Sequence, residues 1–135
     1  MVQTIYKVGA IILNERKQLL VVRKRVEDRT EFIIPGGRQE PGETDLHTLA
    51  RELQEELGVS LESSTFFGKF EDIAVFENVP LVMSVYQTII NGKPTPQSEI
   101  KEYAWMDRDY SAKGYCLGSV LSKYVIPTLI ATGQM

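Results

Sequence analysis

Glu52, Glu55 and Glu56 stand three and four residues apart, a spacing that gathers side chains on one side of a helix. Three carboxylates so placed suit a hard divalent cation, Mg²⁺ with Mn²⁺ as a substitute, which takes oxygen ligands and shares them with substrate phosphates. A cation held there neutralises phosphate charge and lowers the pKa of a coordinated water, giving a nucleophile at neutral pH. The placement runs against helix physics. Acidic residues near a helix C-terminus meet the negative end of the dipole, and the Glu52/Glu56 like-charge pair at i, i+4 costs ~0.2–0.5 kcal/mol. A solvated acidic face would give the same cluster, so the three residues alone leave both readings open.

The elements that position them follow from periodicity. A helix is predicted from Asp45 to Leu57, with Leu46, Leu49, Ala50, Leu53 and Leu57 as one apolar stripe opposite the glutamates. Thr44 caps it, Asp45 suits its positive end, Gly58 ends it in a left-handed conformation and Val59 folds back on the last turn. Strands are predicted over 4–13 and 19–22, the second ending in Arg23-Lys24-Arg25, and Phe32-Ile33-Ile34 leads into tight turns at Gly36 and Gly37. Extended runs over 66–76 and 80–90 read as a hairpin around Glu77-Asn78, with a further strand over 102–106. Leu117, Val120, Leu121, Tyr124 and Val125 form a second helical stripe, which Pro127 should kink or interrupt. The expected fold class is α/β of the α+β type, a mixed sheet between helices, in one domain spanning 1–135.

Around the glutamates the chain reads Gly37, five residues, Glu43, seven residues, then Arg51-Glu52-Leu53-Gln54-Glu55-Glu56-Leu57-Gly58-Val59. At every defined position this resembles the Nudix box, G-x5-E-x7-R-E-U-x-E-E-x-G-U with U aliphatic. The chain thus resembles the Nudix hydrolases, of the MutT-like kind. The resemblance implies the family's α/β/α sandwich and metal-dependent hydrolysis of a phosphoanhydride bond in a nucleoside diphosphate linked to another group. It implies metal ligation by Glu52, Glu55 and Glu56, with the Gly37 carbonyl as a further ligand. It also implies that Arg51, off the metal face, pairs with Glu43 and holds the loop onto the helix, with Gly36 and Gly58 as structural support.

Outside the box, Glu99 resembles the downstream glutamate that approaches the family's metal site, and Glu102 competes for that place. Arg23 is matched to an arginine that contacts phosphate in MutT-type relatives, a task suited to a bidentate guanidinium; Lys24 and Arg25 are weaker candidates. His47, the only histidine, reads as an uninvolved surface residue, Cys116 as a packed thiol and Trp105 as structural. Phe76, Tyr110 and Tyr115 are candidates for stacking a nucleobase, with core packing as the alternative. Positions 74 to 77 carry neither the proline of ADP-ribose hydrolases nor the tyrosine of diadenosine polyphosphate hydrolases. The layout favours a (d)NTP pyrophosphohydrolase releasing a nucleoside monophosphate and pyrophosphate. Alternatives are hydrolysis of a nucleotide sugar, ADP-ribose, a dinucleoside polyphosphate or an RNA 5′ end, and a non-catalytic nucleotide sensor of the same fold. The strict oxidised-guanine specialist is disfavoured, since no asparagine follows Gly92.

The formal net charge of -3 argues against stable nucleic-acid binding and against an anionic membrane as partner. One cysteine excludes an intramolecular disulfide framework, and neither a signal segment nor a long apolar run is visible, so a cytoplasmic location is expected. Relatives commonly form homodimers, although one core explains the apolar runs at 81–90 and 117–130 equally well.

Overall fold

The computed structural model describes residues 3–26, 30–74 and 77–135. Apolar alternation places β1 at Ile5–Ile11 and β2 at Leu19–Lys24, joined through Asn14, whose side chain accepts from the Arg16 and Gln18 N–H groups. The segment expected to turn at the two glycines instead forms a short strand, β3, at Gly36–Arg38, antiparallel to β1. It follows the β1 edge because Gly36 adopts φ +146°, and a Cβ there would lie 2.1 Å from the Val8 carbonyl oxygen. Only glycine permits so close an approach.

Helix α1 spans Asp45–Leu57 as predicted. The Thr44 hydroxyl accepts the His47 N–H at 3.1 Å, and Gly58 ends the helix at φ 66°. Leu49, Leu53 and Leu57 are fully buried, each gaining about 1.5–3 kcal/mol. That far exceeds the repulsion between glutamates on the same helix. Leu46, counted in the stripe, is 46% exposed; it stands in the first turn, ahead of the strands that cover the rest.

After Gly58 the chain enters β4, Ser60–Ala74, and returns as β5, Val79–Asn91. β4 begins earlier than expected because 60–65 is mostly polar and carries no apolar alternation to mark it. Val75 and Phe76, between the two strands, lie outside the described residues. β6 runs Ile100–Met106. The strands form a four-stranded sheet in the order β3-β1-β5-β4 and a separate ribbon, β2-β6. Since β1 is parallel to β5 and the other pairs are antiparallel, the larger sheet is mixed.

The C-terminal stripe forms a π-helical turn, Leu121–Val125, followed by α2, Ile126–Ala131. The interruption falls at Pro127, which has no N–H to continue the ladder. α1 packs with Val8, Ala10, Leu20, Val22 and Ile100 on one side of the strands. Val120, Leu121, Val125, Ile126 and Leu129 pack with Ile11, Leu19, Val21 and Val85 on the other. The architecture is α+β, a helix layer on each face of the strands. Among the described residues no helix is long and apolar enough to cross a membrane.

Candidate metal centre

Residues 52 and 56 are separated by about 40° around a helix, whereas 55 and 56 are about 100° apart. Glu52 and Glu56 therefore turn together towards β3 and the chain entering β6. There they meet Glu99, and one carboxylate oxygen from each of the three lies within 4.8 Å of the others. A common solvated face of Glu52, Glu55 and Glu56, one of the two readings left open by the sequence, does not form. Glu56 is 1% exposed and Glu52 8%, because β3 and Glu99 cover them. Glu55 stands outside the cluster, its side chain 54% exposed, beside Arg51 at 3.4 Å.

Glu56 is held from one side only. Its Oε1 accepts the Gly36 N–H at 2.9 Å, while its Oε2 is buried without a donor among the described residues. Burial pushes its pKa up to about 8, with the charges of Glu52 and Glu99 adding to the rise and the Gly36 hydrogen bond and Lys24 opposing it. Burial also raises the Glu52 pKa, against the pull of Arg51. Gly37 lies directly against this carboxylate: a Cβ at Gly37 would come within 2.3–2.6 Å of the Glu52 carboxyl atoms. The second glycine thus provides room for Glu52 rather than a turn.

Arg51 ties this centre to the loop before α1. Its Nε donates to Glu43 Oε2 at 2.8 Å and its Nη2 to Glu43 Oε1 at 2.9 Å, the bidentate pairing implied by the resemblance. Nη2 also donates to the Arg38 carbonyl at 3.0 Å, and Nη1 to Glu52 Oε1 at 2.9 Å. Arg51 was expected off the metal face, yet its fork reaches across to a clustered carboxylate. The guanidinium and the Glu40 N–H hold the Glu43 pKa down to about 2. The buried Thr48 hydroxyl donates to Glu43 Oε1 at 2.9 Å.

The β2-β6 ribbon separates the candidates outside the box. Strand alternation sends Leu20, Val22 and Lys24 towards α1, and Leu19, Val21 and Arg23 to the opposite face. Lys24 Nζ consequently lies 3.5 Å from Glu99 Oε1, at the cluster. Arg23 pairs with Glu102 at 3.0 Å and places its guanidinium over the Phe32 ring. Glu99 therefore belongs with the other two carboxylates, whereas Glu102 and Arg23 face away together. Lys24, a weaker candidate than Arg23 in the sequence, is the one that alternation two residues past Val22 brings to the cluster. Arg25 donates from Nε to the Ile100 carbonyl at 3.2 Å, a backbone tie between the ribbon strands.

His47 is a surface side chain, 66% exposed and 3.8 Å from Glu43. Cys116, expected to be packed, is exposed. The Phe32 N–H donates to the Cys116 carbonyl at 2.8 Å and the Gly118 N–H to that of Phe32 at 2.9 Å, so it is the backbone of this residue that is tied to the fold. Trp105 and Tyr110 pack at the margins of the two cores, and the Tyr115 ring stands edge-on to Phe32 at 5.2 Å. Phe76 lies outside the described residues.

Residues 4–113 match the family model described as NUDIX domain. The mouse 8-oxo-dGDP phosphatase NUDT18 is 29% identical over 104 residues, which are 76% of this chain and 32% of that protein. The Escherichia coli K12 8-oxo-dGTP diphosphatase is 37% identical over 65 residues, 45% of this chain and 49% of that protein. The chain thus spans about a third and a half of these relatives' lengths. Among solved structures, a MutT NUDIX hydrolase from Burkholderia pseudomallei superposes with a TM-score of 0.69 at 26% identity, covering 77% of this chain and 83% of its own. A MutT protein from Methanosarcina mazei Go1 shares the fold, with a TM-score of 0.80 at 20% identity over 98% of this chain and 96% of its own.

Proposed function

The chain belongs to the NUDIX domain family, and from that premise we propose that it is a divalent-metal-dependent pyrophosphohydrolase of nucleoside triphosphates, yielding a nucleoside monophosphate and pyrophosphate. The observation that carries this reading is the group formed by Glu52, Glu56 and Glu99, with carboxylate oxygens within 4.8 Å of one another.

The residues fit a cation by their chemistry. Three carboxylates meet at a place where Lys24 and Arg51 are basic partners beside them, and Glu56 Oε2 is buried without a donor among the described residues. Carboxyl groups brought this close ionise together only with a positive charge between them. Glu52, Glu56 and Glu99 would hold Mg²⁺, or Mn²⁺ in its place, together with the Gly37 carbonyl, with Glu55 a further acidic group at the rim. When bound, the cation supplies a water of lowered pKa and neutralises the bridging phosphates.

The protein's own groups do the rest. Lys24 stands beside Glu99, placed to meet a phosphate oxygen as a point charge. Arg51 fixes the orientation of Glu52 and anchors the Glu43 loop. Glu56 is oriented towards the cluster by the Gly36 N–H on its Oε1. Gly36 and Gly58 keep β3 and the end of α1 in register with these side chains. Shared cores from β1 to α2 support one domain over 1–135, and the nucleotide chemistry fits a cytoplasmic setting.

The relatives named as 8-oxo-dGTP and 8-oxo-dGDP phosphatases support a nucleoside phosphate as substrate. A screen of nucleoside triphosphates, oxidised guanine nucleotides, ADP-ribose, dinucleoside polyphosphates and nucleotide sugars, with Mg²⁺ and with Mn²⁺, tests the reading. Triphosphates turned over to monophosphate and pyrophosphate are the expected result. Turnover of nucleotide sugars or ADP-ribose alone would replace the substrate, and no turnover of any would leave a sensor.

A further inference from the structure

Strand β5 pairs Tyr86 with Ala10 of β1 and with Phe66 of β4, and the Tyr86 ring packs on the core beneath α1. A phenol has an apolar body and a polar tip, and where the ring is covered the tip takes a partner. Here that partner is in the first turn of α1. The Tyr86 hydroxyl donates to Asp45 Oδ2 at 2.7 Å, the length of a bond to a charged acceptor. Burial first, and then Asp45, push the Tyr86 pKa up to about 12, so the hydroxyl keeps its proton.

The same carboxylate holds the loop before the helix. Asp45 Oδ1 accepts from Gln39 Nε2 at 3.0 Å, and Nε2 also donates to the Glu43 carbonyl at 2.9 Å. An amide nitrogen carries two hydrogens, one for each acceptor. The Gln39 backbone N–H donates to the Tyr6 carbonyl at 2.9 Å, which pins the residue to β1. Gln39 thus joins β1, the end of the loop and the start of α1, while Glu40, Pro41 and Gly42 between them are exposed.

Glu43 continues the line towards the clustered carboxylates. Thr48 and Arg51 hold its carboxylate from α1, whereas Gln39 holds its backbone. Arg51 Nη1 then donates to Glu52 Oε1 at 2.9 Å. A surface loop without its ties would move, Glu43 would move with it, and the Arg51 fork would lose the partner that sets its direction.

We propose that Tyr86, Asp45 and Gln39 are positioning residues for the cation site: they fix the loop that carries Glu43 and, through Glu43 and Arg51, the carboxylate of Glu52. This rests on the reading of Glu52 as a cation ligand and extends it to residues on β5 and β3's exit that touch neither cation nor substrate.

Tyr86→Phe removes the hydroxyl alone and keeps the ring, edge-on to Phe66 at 5.4 Å. Phe66→Leu, at an exposed ring, loosens that packing and keeps the hydroxyl. Two quantities are measured on the full chain: solvent exchange of the Arg51 Nε–H by NMR without metal, and Mn²⁺ affinity by water relaxation. In Tyr86→Phe the Arg51 exchange should quicken about threefold or more. Mn²⁺ should bind about three- to tenfold more weakly, less than the loss from a residue that touches a ligand directly. Gln39→Leu should show both effects, and the double variant should bind no more weakly than the weaker single, since the bonds act in series. Phe66→Leu should leave both quantities within about twofold of wild type. A Tyr86→Phe protein within about twofold of wild type in either quantity, additive losses in the double variant, or the same losses in Phe66→Leu would overturn the proposal. A wild-type protein that binds no Mn²⁺ would overturn the cation reading and the proposal together, a failure told apart from the others because the wild type itself shows it.

Discussion

Gly36 donates its backbone N–H to Glu56 Oε1 at 2.9 Å, which joins the most deeply buried carboxylate of α1 to the edge strand β3. The bond requires β3 to lie against β1, and Gly36 makes that possible because a Cβ there would strike the Val8 carbonyl oxygen at 2.1 Å. One glycine secures the strand, and its neighbour leaves space for a carboxylate.

The two glycines are therefore expected to fail differently. Gly36→Ala places a side chain at φ +146° against backbone and should destabilise the fold by at least about 1–3 kcal/mol. Gly37→Ala meets first the end of the Glu52 side chain, which can move. Its denaturation midpoint should stay near wild type while Mg²⁺ affinity falls about tenfold or more. Calorimetric metal titration beside chemical denaturation separates the two, and a Gly37→Ala protein with unaltered affinity would contradict the geometry.

Arg51→Met removes the group that serves Glu43, Glu52 and the Arg38 carbonyl together. Two carboxylates of low exposure would lose their strongest partner, at a cost of about 2–4 kcal/mol after allowance for the partial exposure of Arg51. Urea denaturation reads this directly. A loss below about 0.5 kcal/mol would show that the loop before α1 is held by other contacts.

Helix α1 was legible in the sequence from Thr44 to Gly58, because cap, apolar stripe and terminator all agreed over a full helix. The role of Arg51 towards Glu43 was legible only through the box, since residues eight apart give no local signal of contact. What the sequence hid were consequences of strand packing. Glu52 and Glu56 look like a solvated face until β3 and Glu99 cover them. The edge strand β4 begins in a polar stretch, Ser60 onward, where neither side chains nor periodicity announce it. Lys24 and Arg23 are adjacent in the chain, yet the ribbon sends them to opposite faces, one to Glu99 and one to Glu102.

The pH dependence of stability has two limbs. The folded pKa of Glu56, about 8, lies above its usual value of 4.5, so the metal-free folded state retains a proton that the unfolded chain releases. Its contribution is fully present below about 4.5 and is lost as pH rises through about 8. Glu43, lowered to about 2, acts in the other sense: its contribution is present above about 4.5 and lost as pH falls through about 2. In metal-free buffer the wild-type melting temperature should fall between about pH 4.5 and 8 more steeply than that of Glu56→Gln. Parallel curves for the two proteins would exclude this burial effect.

Glu99 and Glu102 are three residues apart but face different partners. Glu99→Gln is expected to weaken Mn²⁺ binding about tenfold or more, as loss of a ligand or its immediate support does, whereas Glu102→Gln should alter it less than about twofold. Paramagnetic relaxation of solvent water by bound Mn²⁺ measures both. Equal losses would mean that the two carboxylates share one site.

If hydrolysis rests on a cation held by Glu52, Glu56 and Glu99, Glu56→Gln with Mg²⁺ reveals it. The substitution keeps an oxygen that can accept the Gly36 N–H and removes one buried charge. Hydrolysis of a nucleoside triphosphate followed by phosphorus NMR should fall at least about a hundredfold, with an unchanged fold by circular dichroism. Turnover at the wild-type rate by a folded Glu56→Gln protein would contradict the account.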